Sequence, residues 1–199
     1  LLHDKETKVI LVYLEDIKEG REFLKIAKKV TCKKPVVIIK SGRSAAGARA
    51  AASHTGAIAG SDKIYTAAFE QGGVIRARDM EEFFDIGKAL AMQPPAMGKN
   101  IGILTDAGGP GVMTVDECEA LGLTVERFSE ATLQKFQELK DQNIILKIAA
   151  TSNPVDLTGS VTDDMFVMAA DLMFQDPQIC GIILLGLHHM PGLREVYID

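Results

Sequence analysis

His54 lies in the run Ala52-Ser53-His54-Thr55-Gly56-Ala57-Ile58-Ala59-Gly60-Ser61, where no other side chain exceeds isoleucine in bulk. Neighbours this small leave room beside the imidazole for a bulky charged group. Gly56 and Gly60 permit backbone conformations and close approaches that larger residues hinder. An imidazole presented in this way can meet a phosphate, with Ser53, Thr55 and Gly56 as the adjacent phosphate-binding positions. A carboxylate that accepts a hydrogen bond from one ring nitrogen fixes the tautomer and leaves the other nitrogen nucleophilic. Glu15, at the end of an apolar run, is placed for that role. A second anion site is offered by Thr105-Asp106-Ala107-Gly108-Gly109-Pro110-Gly111. There the backbone at Gly108, Gly109 and Gly111 opens a helix, and its N–H groups and positive dipole end favour negative charge. The chemistry common to the two places is phosphoryl chemistry.

Other motifs do less. Gly42 and Gly47 have the glycine spacing of a phosphate-binding P-loop, but Ala48-Arg49 stands where lysine followed by serine or threonine is required. Ser53-His54 lacks the GxSxG elbow of a hydrolase, and adjacent residues rarely face one another. His188-His189 lacks common metal-ligand spacing, and no metal site is assigned. Arg43 and Arg49 are candidates to hold phosphate or an acidic partner, or simply to form a solvated charged face.

The elements that position these groups follow from periodicity. Lys8 to Leu14 is a nearly continuous apolar run that suits a strand buried on both faces of a parallel sheet. Phe23, Leu24, Ala27 and Val30 recur at helical spacing, and Pro35 to Ile39 makes a second strand, completing a βαβ unit. Glu15 and the segment starting at Lys40 therefore emerge at the carboxyl edge of the sheet, where open α/β folds put their sites. From Lys40 to Ser61 the chain is rich in Ala, Gly and Ser and too long for an ordinary connection, which points to function. Ser61 or Asp62 caps a helix that turns Ile64, Tyr65, Ala68 and Phe69 inward, followed by the strand Val74-Ile75. Asp79 caps another, with Met80, Phe83, Phe84, Gly87 and Leu90 as its buried stripe.

Residues 94–99, rich in Pro and Gly, form a linker between a unit of residues 1–93 and one of residues 100–199. The second unit opens with the strand Asn100 to Leu104, then a helix using Val112, Val115 and Leu121, then a strand from Leu123 to Val125. Ser129 caps a helix marked by Leu133 and Phe136. Thr162 caps one with Met165, Phe166, Ala169, Leu172 and Met173, and Gly181 to Leu187 is a buried strand. The alternation predicts an α/β fold of two doubly wound parallel-sheet units.

Composition bounds the function. With 199 residues, 47% hydrophobic and 25% charged, and a net charge of −5, the chain is expected to be a globular, acidic protein and not a nucleic-acid binder. Cys32, Cys118 and Cys180 are odd in number and far apart, which suggests neither a disulfide framework nor a thiolate metal site, and fits a reducing cytoplasm. No apolar run approaches a membrane span. The chain begins at Leu1, so it reads as a piece of something longer.

The segment Lys40-Ser41-Gly42-Arg43-Ser44, followed by Ala51 to Ser61 with His54, resembles the active-site segment of NDP-forming acyl-CoA synthetases, the ADP-forming acetyl-CoA synthetase group related to succinyl-CoA synthetase. The resemblance implies two flavodoxin-like, succinyl-CoA synthetase-like units and an acid–thiol ligase. Such an enzyme interconverts acid, CoA and ATP with acyl-CoA, ADP and phosphate through an acyl phosphate and a phosphohistidine. His54 takes the phosphohistidine role by resemblance, and Glu15 that of the supporting glutamate, with Asp16 as the neighbour that could be meant instead. Thr105 to Gly111 is similar to a phosphate-binding helix start in the family's last domain, and Ser152 to Leu157 also looks like a family segment. The implied ligands are CoA, ATP or ADP with Mg2+, phosphate and a small carboxylic acid. An ATP-grasp domain or subunit, an N-terminal CoA-binding domain and a homo- or hetero-oligomer are the implied partners. The first unit would then be the C-terminal part of its domain, the second would continue past Asp199, and the isolated piece would be inactive. A different class is also implied: similar domains serve as regulatory or ligand-binding modules fused to protein lysine acetyltransferases, generally without the histidine.

Overall fold

A computed structural model describes residues 1–55, 61–187 and 190–193, with residues 51–55 as backbone only. The chain divides into two compact units, Leu1–Pro95 and Ala96–Asp199.

In the first unit, β1 (Ile10–Leu14), α1 (Gly20–Thr31) and β2 (Val36–Lys40) form the expected βαβ unit, with Ile10 beside Val36 and Leu14 beside Lys40. After α2 (Ala45–Thr55) and α3 (Asp62–Gly72), β3 (Ile75–Ala77) pairs with the other side of β2, giving a parallel sheet of order β1-β2-β3. Alternation along β2 sorts the core. Val36 and Ile38 face Ala27 of α1 and Tyr65 and Phe69 of α3, whereas Val37 packs with Phe83 of α4 (Met80–Met92).

Three expectations are corrected here. β1 is paired on one side only among the described residues, so its residues alternate and Tyr13 is 59% exposed, not buried on both faces. Ile64 is 68% exposed because the inward face of α3 is set by Tyr65 and Phe69. On α4, Phe83 and Gly87 are buried while Met80, Phe84 and Leu90 are exposed. That helix packs through a narrow stripe in which Gly87 makes room for Leu11, whose Cδ atoms lie 2.9 Å from where a Cβ would stand.

In the second unit, β4 (Ile101–Thr105) is fully buried between β6 (Val155–Asp156) and β7 (Gly181–Leu185), both parallel to it. A short antiparallel strand, β5 (Ala150–Thr151), pairs with β6, so this sheet is mostly but not wholly parallel. On one face lies α5 (Gly108–Ala120), with Cys118 against Ile101 and Ile103. On the other, α6 (Glu130–Asp141) and α7 (Asp163–Phe174) bring Phe136, Ala169 and Met173 to Leu104 and Val155. The Ser129 and Thr162 side chains cap α6 and α7 by accepting the Thr132 and Met165 amides.

Leu123 to Val125 does not form a strand of its own. It contributes one parallel bridge, Asn100 to Thr124, with the Ile101 amide donating to the Thr124 carbonyl at 2.8 Å. β7 ends at Leu185 and is half-buried, since among the described residues it has one strand neighbour instead of two. On α5, Val112 and Leu121 are exposed, and the buried positions are Gly111 and Cys118.

Candidate functional site

At the carboxyl edge of the first sheet the chain leaves β2 through Gly42, whose φ of 71° is the left-handed conformation that glycine adopts without strain. The Ser44 hydroxyl then accepts the Gly47 amide at 3.0 Å and starts α2. Six of the eleven residues of α2 are alanine, the strongest helix former, so most of what reads as a long connection is helix. Ser53, His54 and Thr55 belong to its last turn and not to a loop, a correction that composition alone allowed. Gly56 lies outside the described residues, as do His188 and His189. Thr55 and Ser61 are six residues apart, so the end of α2 is within about 21 Å of the start of α3. α2 is therefore an excursion that leaves one sheet edge and is tied back to it, since β3 runs parallel to β2.

The two candidate carboxylates beside β1 are in different situations. Asp16 accepts a hydrogen bond from the hydroxyl of Tyr65 on α3, and this bond holds its carboxyl below the usual value against the opposing effect of burial. Glu15 is half-buried and has no hydrogen-bond partner among the described residues. Asp16 is thus committed, and Glu15 is the acceptor left open.

Sequence reasoning passed over Lys40 as anything but part of a segment. Its side chain ends β2 at only 3% exposure, with Nζ 2.5 Å from the Ser41 carbonyl oxygen and 4.5 Å from the centre of the Tyr65 ring. Burial pushes its pKa down, while Asp16, Asp62 and Glu15 pull it back up and Arg76 adds to the lowering. The signal that could have found it is a lysine closing the apolar run Val36-Val37-Ile38-Ile39. Arg76 was missed too. It pairs with Asp62 at 2.6 Å and donates to the Thr66 hydroxyl, fastening β3 to the first turn of α3. Arg43 donates to the Arg78 carbonyl at 2.6 Å, tying the β2 exit to the turn before α4. Arg49 is exposed on α2.

In the second unit the three glycines of the turn after β4 divide. Gly108 and Gly109 are exposed on the first turn of α5, where Ala107 supplies no side-chain cap and Pro110 has no N–H. Their amides are the free donors of that helix start. Gly111 is buried, and its missing side chain lets α5 lie on Thr105 and Pro154. The neighbourhood also carries negative charge. Asp156 Oδ2 is 3.1 Å from where a Cβ on Gly108 would stand, and its Oδ1 accepts the Thr158 amide at 2.8 Å. Asp106 is 1% exposed; its Oδ2 accepts the Leu187 amide at 2.9 Å, and its Oδ1 has no partner among the described residues. Among those residues no group of three or more His, Cys, Asp and Glu comes together to hold a metal ion.

With this geometry in place, comparison with known proteins is informative. Residues 1–90 match the family described as succinyl-CoA ligase like flavodoxin domain, and residues 101–193 match the ligase-CoA domain. The chain is 43% identical to the alpha subunit of acetate–CoA ligase [ADP-forming] II of Pyrococcus furiosus, over 90% of this chain and 38% of that one. It is 38% identical to the 4-hydroxybutyrate–CoA ligase [ADP-forming] of Nitrosopumilus maritimus, over 100% of this chain and 28% of that protein. The solved acetyl-coenzyme A synthetase 1 of Ca. Korarchaeum cryptofilum, in complex with phosphate and ADP, superimposes with a TM-score of 0.83 at 37% identity, covering 92% of this chain and 39% of that one. The chain therefore spans less than two fifths of the length of these relatives. Its first unit belongs to the succinyl-CoA ligase like flavodoxin domains and its second to the ligase-CoA domains, the pair of domains it shares with these ADP-forming CoA ligases.

Proposed function

We propose that this chain is the phosphoryl-carrying part of an ADP-forming acyl-CoA synthetase, with His54 as the residue phosphorylated in the relay. The supporting observation is the division of labour at the β1 exit, where Tyr65 occupies Asp16 and leaves Glu15 free. In the forward sense a neutral ring nitrogen of His54 attacks the phosphorus of an acyl phosphate. An N–P bond forms as the P–O bond to the acyl group breaks, and the carboxylate departs with the electron pair. Glu15 accepts a hydrogen bond from the other ring nitrogen and stabilises the positive charge that develops on the ring. Transfer from phosphohistidine to ADP then gives ATP, and the reverse sequence activates the acid.

The exposed amides of Gly108 and Gly109 supply a place for phosphate at a helix start, and Gly111 lets that helix approach β4. CoA, nucleotide and its magnesium are assigned to a CoA-binding domain and an ATP-grasp domain or subunit, in a homo- or hetero-oligomer. The relatives compared are CoA ligases, which leaves an acetyltransferase-linked regulatory module without support. No described helix is long and apolar enough to cross a membrane, and a cytoplasmic setting accords with the use of ATP and CoA. Mass spectrometry under acid-avoiding conditions tests the proposal. With ATP, magnesium and a competent ATP-grasp partner, phosphate is expected on His54, and its absence there would sink the reading.

A further inference from the structure

We propose that Lys40 is a positioning residue of this site: its buried ammonium, seated on the Tyr65 ring, keeps that ring bonded to Asp16 and so fixes the end of β1 from which Glu15 leaves. The inference rests on the phosphohistidine reading and names a residue which that reading does not use.

The sheet places Lys40 beside the end of β1. Leu14 pairs with Lys40, and the Ser41 amide donates to the Leu14 carbonyl at 3.0 Å, so the ladder runs to the point where Glu15 and Asp16 leave β1. Lys40 lies on the same side of β2 as Val36 and Ile38, the side covered by α3, and its Nζ stands over the face of the Tyr65 ring. A cation above an aromatic face is attracted by the ring's negative quadrupole. The hydroxyl of that ring is bonded to Asp16, so one cation, one ring and one carboxylate form a continuous contact.

The other ionised groups acting on Lys40 are Glu15 and Asp16 after β1, Asp62 on α3 and Arg76 on β3. Asp62 and Arg76 neutralise each other at 2.6 Å. Asp16 also feels Lys18, so two cations act on it, of which Lys18 is exposed and Lys40 is buried. Without Lys40 the Tyr65 ring loses its cation and Asp16 its buried counter-charge, and the end of β1 is held less firmly. A methionine would fill the same apolar stem space and avoid the cost of burying an ammonium. The charge, more than the volume, accounts for lysine at this position.

The test uses the full chain and phosphoramidate, a small phosphoryl donor that phosphorylates histidine without a nucleotide-binding partner. The rate of label appearing on His54 is followed by phosphorus NMR and mass spectrometry, with thermal melting as the control for folding. Lys40→Met is expected to slow labelling about tenfold, and Lys40→Arg, which restores the charge, to recover it to within about threefold of wild type. A folded Lys40→Met protein that labels at the wild-type rate overturns the inference, as does an arginine variant no faster than the methionine one. Should Lys40→Met not fold, Tyr65→Phe carries the same test: it keeps the ring under the ammonium but frees Asp16, and it is expected to slow labelling severalfold. An unchanged rate in that variant overturns the inference. Wild-type protein that takes no phosphate on His54 removes the phosphohistidine reading itself, and this inference with it.

Discussion

The side-chain oxygen of Asn153 accepts the main-chain amide of Ile103 at 3.0 Å, in the middle of β4. Its Nδ2 donates to the carbonyls of Ile101 at 2.9 Å and Glu126 at 2.8 Å. β6 reaches only as far as Leu104, so the carboxamide takes the place of the missing ladder and satisfies groups on a strand closed to water. Asn153→Ala is expected to cost about 2 to 4 kcal/mol, because buried backbone groups are left unpaired. Denaturant unfolding monitored in the second unit measures this, and a loss under about 1 kcal/mol would show that water takes over the role.

The unequal situations of Glu15 and Asp16 separate two variants. Glu15→Gln is expected to lower the rate of His54 phosphorylation about a hundredfold with little change in melting, as for loss of a group that orients a nucleophile. Asp16→Asn is expected to act chiefly on stability, through the Tyr65 bond, and to leave the rate within about tenfold of wild type. Single-turnover labelling of the two proteins decides the matter, and the opposite ranking would exchange their roles.

The Asp16–Tyr65 bond also has a pH signature. The folded-state pKa of Asp16 lies below the ordinary value of 3.8, so unfolded chains bind the proton more readily than folded ones. The stability it contributes is present above 3.8 and is lost as the pH falls from there through the lower folded value. Tyr65→Phe removes the bond, so the variant is expected to lose stability less steeply than wild type on acidification through that window. Melting temperatures collected downward from neutral pH show whether the two curves converge.

Two glycines on α5 differ in what they tolerate. A Cβ on Gly109 meets nothing within 4 Å, so Gly109→Ala is expected to leave the fold within about 0.5 kcal/mol of wild type. At Gly111 the added carbon would lie 3.1 Å from Thr105 Cγ2, on a fully buried residue, and Gly111→Ala is expected to cost about 1 to 3 kcal/mol. Titration with inorganic phosphate then isolates the ligand: weaker binding is expected for Gly109→Ala at unchanged stability.

The βαβ unit, the caps at Asp79, Ser129 and Thr162 and the glycine-led start of α5 were legible because each depends on residues close in sequence. Ile64, Phe84 and Val112 were misplaced because helical spacing gives a stripe but not its width, and width depends on which neighbour arrives. Leu123 to Val125 has strand composition yet gains a single bridge, since the extent of pairing is decided by a partner far along the chain. At the candidate site, His54 and Glu15 are proposals from residue type and position. Lys40, Tyr65 and Arg76 could not be read there, because their meaning lies in contacts between β2, α3 and β3.

α2 and α3 together connect β2 to β3, whose register pairs Val37 with Ile75, and none of the described side chains of α2 enters an apolar cluster. The apolar core beside the sheet is thus built without the side chains described on this helix. Such a segment behaves as a cassette. Substitutions at Ala45, Ala46 and Arg49 are therefore free to accumulate over generations while the scaffold that carries the helix persists.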